Sequence, residues 1–246
     1  MKNIAAIIQA RVGSTRLPNK IFLDLKGRPV LARVILRLQQ SKYINKIIIA
    51  SPDTPQNDII HKFVKENFPA VGVCRGSEND VLDRYFKAAQ ESSADIIVRI
   101  TSDCPLIMPS VVDGVVGELI MRKVDYAANV LGRRTFPRGL DTEALTFATL
   151  EKIWQEARDS ADREHVTLYL RRHPEIFSTV NLENEQDWSA YRLTLDEPED
   201  YEAIKKIYDS LNDAELTNLN KVVDFLKEHP EVVKINRAIE QKNAKY

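Results

Sequence analysis

Cys74 and Cys104 are the only cysteines among 246 residues, too few for the disulfide framework of a small secreted domain. They are expected to be reduced thiols in a cytoplasmic protein. Charge of one sign is missing too. Thirty-five basic residues stand against 36 acidic ones, a formal net charge of −1, so no bulk field draws nucleic acid or an anionic membrane. No apolar run approaches a membrane span. The isoleucine-rich run after Met1-Lys2-Asn3 stops at Gln9, before a signal peptide's core and cleavage site would fit. Repeats, low-complexity tracts and Gly/Ser linkers are absent, and no firm domain boundary is evident. A chain of this length, 43% hydrophobic, reads as a single soluble domain that buries its core without disulfides or structural metal.

What is present is an alternation of strand-like and helix-like stretches. Ile4 to Ile8 has the look of a strand buried on both faces, and similar runs recur at 47–50, 71–74, 96–100 and 192–195. Pro29 suits a first helical position, with Val30, Leu31, Val34, Ile35 and Leu38 falling on one face. Further helices are expected over 58–68, 81–91 and 110–122. This alternation predicts an α/β fold, a mostly parallel, doubly wound sheet covered on both sides. In such sheets the ligand lies beyond the carboxyl ends of the strands, where the strand order switches. Residues 125–180 change character, with short strands over 126–130 and 142–147 and helical signals around 150–158 and 162–173. They read as a substrate-side insertion on the same sheet. Helices over 198–211 and 220–228 follow, and a polar, frayed end over 241–246 closes the chain.

The segment leaving the first strand, Arg11-Val12-Gly13-Ser14-Thr15-Arg16-Leu17-Pro18-Asn19-Lys20, reads as an anion cradle. Gly13 lets backbone N–H groups approach a ligand. Arg16 offers a fork for phosphate, and Lys20 a compact mobile charge. Neither Gly-x-x-x-x-Gly-Lys-Ser/Thr nor Gly-x-Gly-x-x-Gly occurs, so the loop is neither a Walker loop nor a dinucleotide fingerprint. Asp103 follows the strand at 96–100 and Asp196 the run at 192–195, so both carboxylates can face one crevice. A nucleoside triphosphate is normally used as its Mg²⁺ complex, and Mg²⁺ takes one or two protein carboxylates alongside phosphate oxygens and water. Asp196 alone could equally be a helix cap before Pro198. Arg99, in an otherwise apolar strand, needs a buried partner or a ligand.

The stretch 7–20 resembles the loop of the sugar cytidylyltransferases that make CMP-Kdo and CMP-sialic-acid-like sugars, and most closely their SpsF-like branch. Stretches 75–85 (Arg-Gly-Ser-Glu-Asn-Asp-Val-Leu-Asp-Arg-Tyr), 101–107 (Thr-Ser-Asp-Cys-Pro-Leu-Ile), 137–143 (Pro-Arg-Gly-Leu-Asp-Thr-Glu), 162–167 (Asp-Arg-Glu-His-Val-Thr) and 194–200 (Thr-Leu-Asp-Glu-Pro-Glu-Asp) resemble that branch in the same order. The resemblance implies a Rossmann-like nucleotide-diphospho-sugar transferase fold of the GT-A type. It further implies CTP as donor and Mg²⁺ as cofactor, held by Asp103 and Asp196. An anionic sugar-type acceptor and, by analogy, a homodimer through the middle region are implied as well. Ala10, Arg11, Gly13, Ser14, Arg16, Lys20, Arg75, Ser77, Asp80 and Ser102 are then expected at the nucleotide. Arg11, Arg16, Lys20 and Asp103 are expected to carry the chemistry. Arg138, Asp141, Glu143, Arg163, Glu164 and His165 are expected to shape the acceptor pocket. His165 is of a residue type used as a general base, but no second His stands at the spacing of a His-Glu-x-x-His metal site. Asp83 and Arg84 read as local helix-surface contacts. Two other readings stay open. A glycosyltransferase would usually carry Asp-x-Asp where this chain has Ser102-Asp103-Cys104, and an idle nucleotide binder would not need both carboxylates.

Overall fold

The structure is a computed structural model, and it describes residues 2–240; the polar tail at 241–246 lies outside them. In chain order the elements are β1 (Ile4–Gln9), β2 (Asp24–Leu25), β3 (Arg28–Pro29), α1 (Val30–Leu38), β4 (Lys46–Pro52), α2 (Asp58–Asn67), β5 (Gly72–Gly76), α3 (Val81–Glu91), β6 (Ile96–Thr101) and α4 (Pro109–Arg122). The second half continues with β7 (Tyr126–Ala128), β8 (Glu143–Thr146), α5 (Phe147–Glu156), α6 (Ser160–Glu164), α7 (Leu168–Arg172), β9 (Thr179–Asn181), α8 (Pro198–Ser210), α9 (Asp213–Leu216), α10 (Leu219–Glu228) and α11 (Pro230–Asn236).

Seven strands form one sheet in the order β5-β4-β1-β6-β8-β7-β9. The first four run parallel, and β8 is antiparallel to both β6 and β7. The pleat of β1 explains its place at the centre. Ile4, Ala6 and Ile8 pack with α1 and α4 residues such as Val34, Ile35 and Val112. Ala5 and Ile7 face the opposite side, against Leu82, Tyr85, Leu150 and Ile153 of α3 and α5. From β1 the chain steps outward to β4 and β5, then α3 carries it back past β1 to β6. Strand order therefore switches beside β1, and the register sets Gln9 opposite Thr101.

Several sequence expectations shift. Pro29 precedes α1 as its extended N-cap instead of occupying its first turn. The stretch 162–173 is two short helices, interrupted at 165–167, where Val166 takes φ 52°. The run at 192–195 is not a strand. Among the described residues its one sheet-like pairing is a bridge, Arg138 to Arg192, and it is apolar because Leu193 and Leu195 pack with α8 and α10 residues such as Ile204 and Leu226.

This last segment is drawn in close by backbone bonds. Arg138 N–H donates to Tyr191 O at 3.0 Å and Leu193 N–H to Arg138 O at 2.7 Å. Gly139 makes the approach possible: its φ is 96°, and an added Cβ would lie 2.4 Å from the Leu193 carbonyl carbon. Gly139→Ala is expected to cost about 2 kcal/mol or more, from left-handed strain plus a backbone clash. Urea unfolding should show the loss as a lowered midpoint.

Candidate active site

The cradle loop leaves β1 where β6 ends, and Ser102 N–H donates to Gln9 O at 3.2 Å. Loop and Asp103 thus share one edge of the sheet, opening on a cavity of about 700 Å³. The loop is tied down beneath that cavity. Val12 N–H donates to Asn57 Oδ1 at 3.0 Å, and Leu17 N–H to Ser14 Oγ at 3.3 Å. A Cβ on Gly13 would meet nothing within 4 Å, so the loop's open side faces the cavity.

Lys20 is the centre of the charge arrangement. Its Nζ donates to Asp103 Oδ2 at 2.7 Å, Asp196 Oδ1 at 2.9 Å and the Leu195 carbonyl at 2.9 Å. Arg16 reaches Asp196 Oδ1 at 3.2 Å and Glu197 Oε1 at 2.9 Å, and Arg192 reaches Asp196 Oδ2 at 3.2 Å. Burial pulls the Lys20 ammonium down, but Asp103 and then Asp196 more than reverse it, so its pKa is raised. Burial pushes the Asp103 carboxyl up, and the Lys20 ammonium overrides this and holds it below the usual carboxylate range. Asp196 is kept in place from behind. Asp200 accepts from the Asp196 and Glu197 N–H groups at 3.0 Å each, closing the first turn of α8.

Of the residues singled out in the sequence, Ala10, Arg11, Gly13, Ser14, Arg16, Lys20, Ser102, Asp103, Glu164, His165 and Asp196 line this cavity. Others lie elsewhere, each for a visible reason. Arg75 sits outside it, paired with Asp53 at 2.7 Å and Asp58 at 2.8 Å. Ser77 turns its hydroxyl to the Asp80 N–H. Asp80 caps α3 through the Asp83 N–H at 2.9 Å and takes the Arg163 guanidinium on both oxygens, so Asp80 and Arg163 hold α3 to α6. Arg138 borders a separate small cavity with Tyr191 and Asn236, and Asp141 takes a two-pronged bond from Arg134.

Glu143 is the clearest correction. It is 2% exposed, held by Arg99, by Arg171 at 3.0 Å and by the Tyr126 and Thr167 hydroxyls. With its oxygens engaged by four side chains of the protein, it braces β8 against its neighbours and does not line the cavity. Arg99 has found the buried partner that its apolar strand demanded.

The sequence model of the family described as cytidylyltransferase matches residues 5–241. The chain belongs to the cytidylyltransferase family. It is 33% identical to the spore coat polysaccharide biosynthesis protein SpsF of Bacillus subtilis, over 94% of this chain and 97% of that one. A cytidylyltransferase structure from Leptospira borgpetersenii superposes with a TM-score of 0.90 at 34% identity, covering 98% of this chain and all of the other. A CMP:2-keto-3-deoxy-manno-octonic acid synthetase complexed with CTP shares the fold, with a TM-score of 0.62 at 17% identity over 84% of this chain and 98% of that one.

Within this cytidylyltransferase, sequence reasoning missed Gln9, Glu78, Asn79, Arg84, Thr101 and Ser160, which also line the cavity. Arg84 is 3% exposed, the opposite of a helix-surface contact. A signal for it existed: it sits four residues after the capping Asp80, one turn into α3 and facing back toward the β5–α3 loop. Cys104 is 4% exposed, with Sγ 3.2 Å from Thr101 Oγ1, and Asp103 has no second acid at 101 or 105, where an Asp-x-Asp site would place it. Among the described residues no helix is long and apolar enough to cross a membrane.

Burial pushes the Glu143 carboxyl up, but Arg99 and Arg171 hold it far below the usual range. Its stabilisation is therefore full above the ordinary glutamate pKa of about 4.3 and lost as pH falls below it. Glu143→Gln, which leaves two guanidiniums without their carboxylate, is expected to cost about 3–5 kcal/mol near neutrality. Urea unfolding across pH should show the variant's deficit shrinking in acid.

Proposed function

We propose that this enzyme transfers CMP from CTP to an oxygen of a sugar acid, of the Kdo or nonulosonic type, and releases pyrophosphate in the making of a surface polysaccharide. One observation carries the reading: a basic loop and two carboxylates from remote parts of the chain meet across Lys20 at the switch point of the sheet. The SpsF relative adds the polysaccharide setting, and the CTP-bound relative of the same fold adds the donor.

Asp103 and Asp196 fit a divalent ion by their chemistry. They already converge on one cation, the Lys20 ammonium. Two carboxylates match an ion that completes its shell with substrate phosphates and water. Bound there, Mg²⁺ would polarise the α-phosphate and neutralise charge.

The protein's own groups position the rest. The acceptor oxygen attacks the α-phosphorus, the bond to the β-phosphate oxygen breaks, and pyrophosphate leaves with the acceptor's hydroxyl proton lost to solvent. Arg11 and the N–H groups of the 10–16 loop hold the outer phosphates. Arg16 and Lys20, once substrate relieves their carboxylates, turn to the charge growing on the leaving group. Glu164 and His165 border the space left for the acceptor. The catalytic gain comes from orientation and charge neutralisation, with no covalent intermediate on the enzyme.

Asp103→Asn is expected to abolish pyrophosphate release from CTP, a fall of at least about a hundredfold, while circular dichroism stays unchanged. A screen of four nucleoside triphosphates against a panel of sugar acids should show release only with CTP and a sugar acid. Turnover of a UDP- or GDP-sugar without pyrophosphate from CTP would instead establish a glycosyltransferase.

A further inference from the structure

The cations of the cavity fall into two kinds. Arg16 and Lys20 are already committed to Asp196, Glu197 and Asp103. Arg11 and Arg84 are not: among the described residues neither has a carboxylate within ion-pair distance. Arg84 is also the more buried of the two, only 3% exposed. A buried guanidinium without a counter-ion is costly unless something else meets it.

The surroundings of Arg84 hold it in one place. Its stem lies on Gly76, where an added Cβ would come within 2.9 Å of Arg84 Cγ. Nη1 donates to the Ser77 carbonyl and, at 3.1 Å, to the Glu78 carbonyl. Nε is buried and has no hydrogen-bond partner among the described residues. Two neutral carbonyls orient the group without cancelling its charge. Burial pulls the Arg84 guanidinium below its usual value, with the Arg11 charge adding to it, and the opposing fields of Tyr85, Glu78 and Asp80 do not make up the loss. Both arginines line the same cavity as Lys20, Asp103 and Asp196. Such an arrangement, two cations bordering one space with no carboxylate within ion-pair distance of either among the described residues, leaves attraction for an incoming anion.

We propose that Arg84, together with Arg11, is a second anion-binding arm of the site and bonds a phosphate oxygen of the bound triphosphate. The proposal rests on the nucleotidyl-transfer reading for the identity of the anion. It makes Arg84 a binding residue in its own right, beyond its hold on the 77–78 backbone. Arg11 and Arg84 would meet the phosphates before Arg16 and Lys20 have been released from their carboxylates.

The test is calorimetric binding of inorganic pyrophosphate, of CTP and of uncharged cytidine by the full chain, for the wild type, Arg84→Met and Arg84→Lys. Arg84→Met should weaken pyrophosphate and CTP by about ten- to a hundredfold, the worth of a lost charge-assisted bond. Arg84→Lys should fall between it and the wild type, because it keeps the charge and loses the fork. Cytidine affinity should be the same in all three. If Arg84→Met does not fold, Arg84→Lys against wild type carries the same comparison. Unchanged pyrophosphate affinity in the folded variants overturns the proposal, and so does a parallel loss of cytidine, which would mean that Arg84 only shapes the 77–78 loop. The two readings separate cleanly. Pyrophosphate bound through Arg84 by a chain that releases none from CTP upholds the arm and defeats the transfer reading. CTP turnover with undiminished pyrophosphate affinity in Arg84→Met does the reverse.

Discussion

The ammonium of Lys20 joins three parts of the chain that are remote in sequence. It ends the cradle loop, meets Asp103 just beyond β6, and meets Asp196 before α8. Asp103 and Asp196 would repel each other if no cation stood between them, and in a partly buried setting that repulsion would be little screened. The site's shape therefore depends on this one bridge. Around it the remaining groups are secondary supports: Arg16 and Arg192 on Asp196, Asp200 on the backbone of 196 and 197, and Gly139 letting the 191–194 segment close against 137–140.

The arginines divide by the company they keep. Arg99 and Arg171 enclose Glu143, Arg134 holds Asp141, and Arg163 ties Asp80. These pairs tie elements of the second half to one another and to β6 and α3. Arg11 and Arg84 remain open to the cavity. Much of the positive charge around the site is thus already matched within the protein, while Arg11 and Arg84 have no carboxylate within ion-pair distance among the described residues.

The first half of the fold was legible because its elements follow from local pattern. Ile4–Gln9 is apolar on both faces and lies at the centre of the sheet, and α3 begins and ends where its periodicity does. The cradle and Asp103 could be placed at one edge because parallel strands end together. Legibility failed where long-range pairing decides. An apolar run at 192–195 looks like a strand, but it is apolar because it packs under α8 and α10. The break between α6 and α7 depends on Val166 in a left-handed conformation that no residue preference announces. Glu143 was misread for the same reason: its partners Arg99, Arg171, Tyr126 and Thr167 lie 44, 28, 17 and 24 residues away. Polar residues in a motif look alike in sequence whether they face a ligand or each other.

The most direct test of this account is the titration of the Asp103 carboxyl, followed by carbon-detected NMR in metal-free buffer, in the wild type and in Lys20→Met. The account predicts a wild-type pKa below the ordinary aspartate value of about 3.9, and a clear rise in Lys20→Met as burial and the neighbouring Asp196 go unopposed. An Asp103 that titrates the same way with and without Lys20 would contradict it.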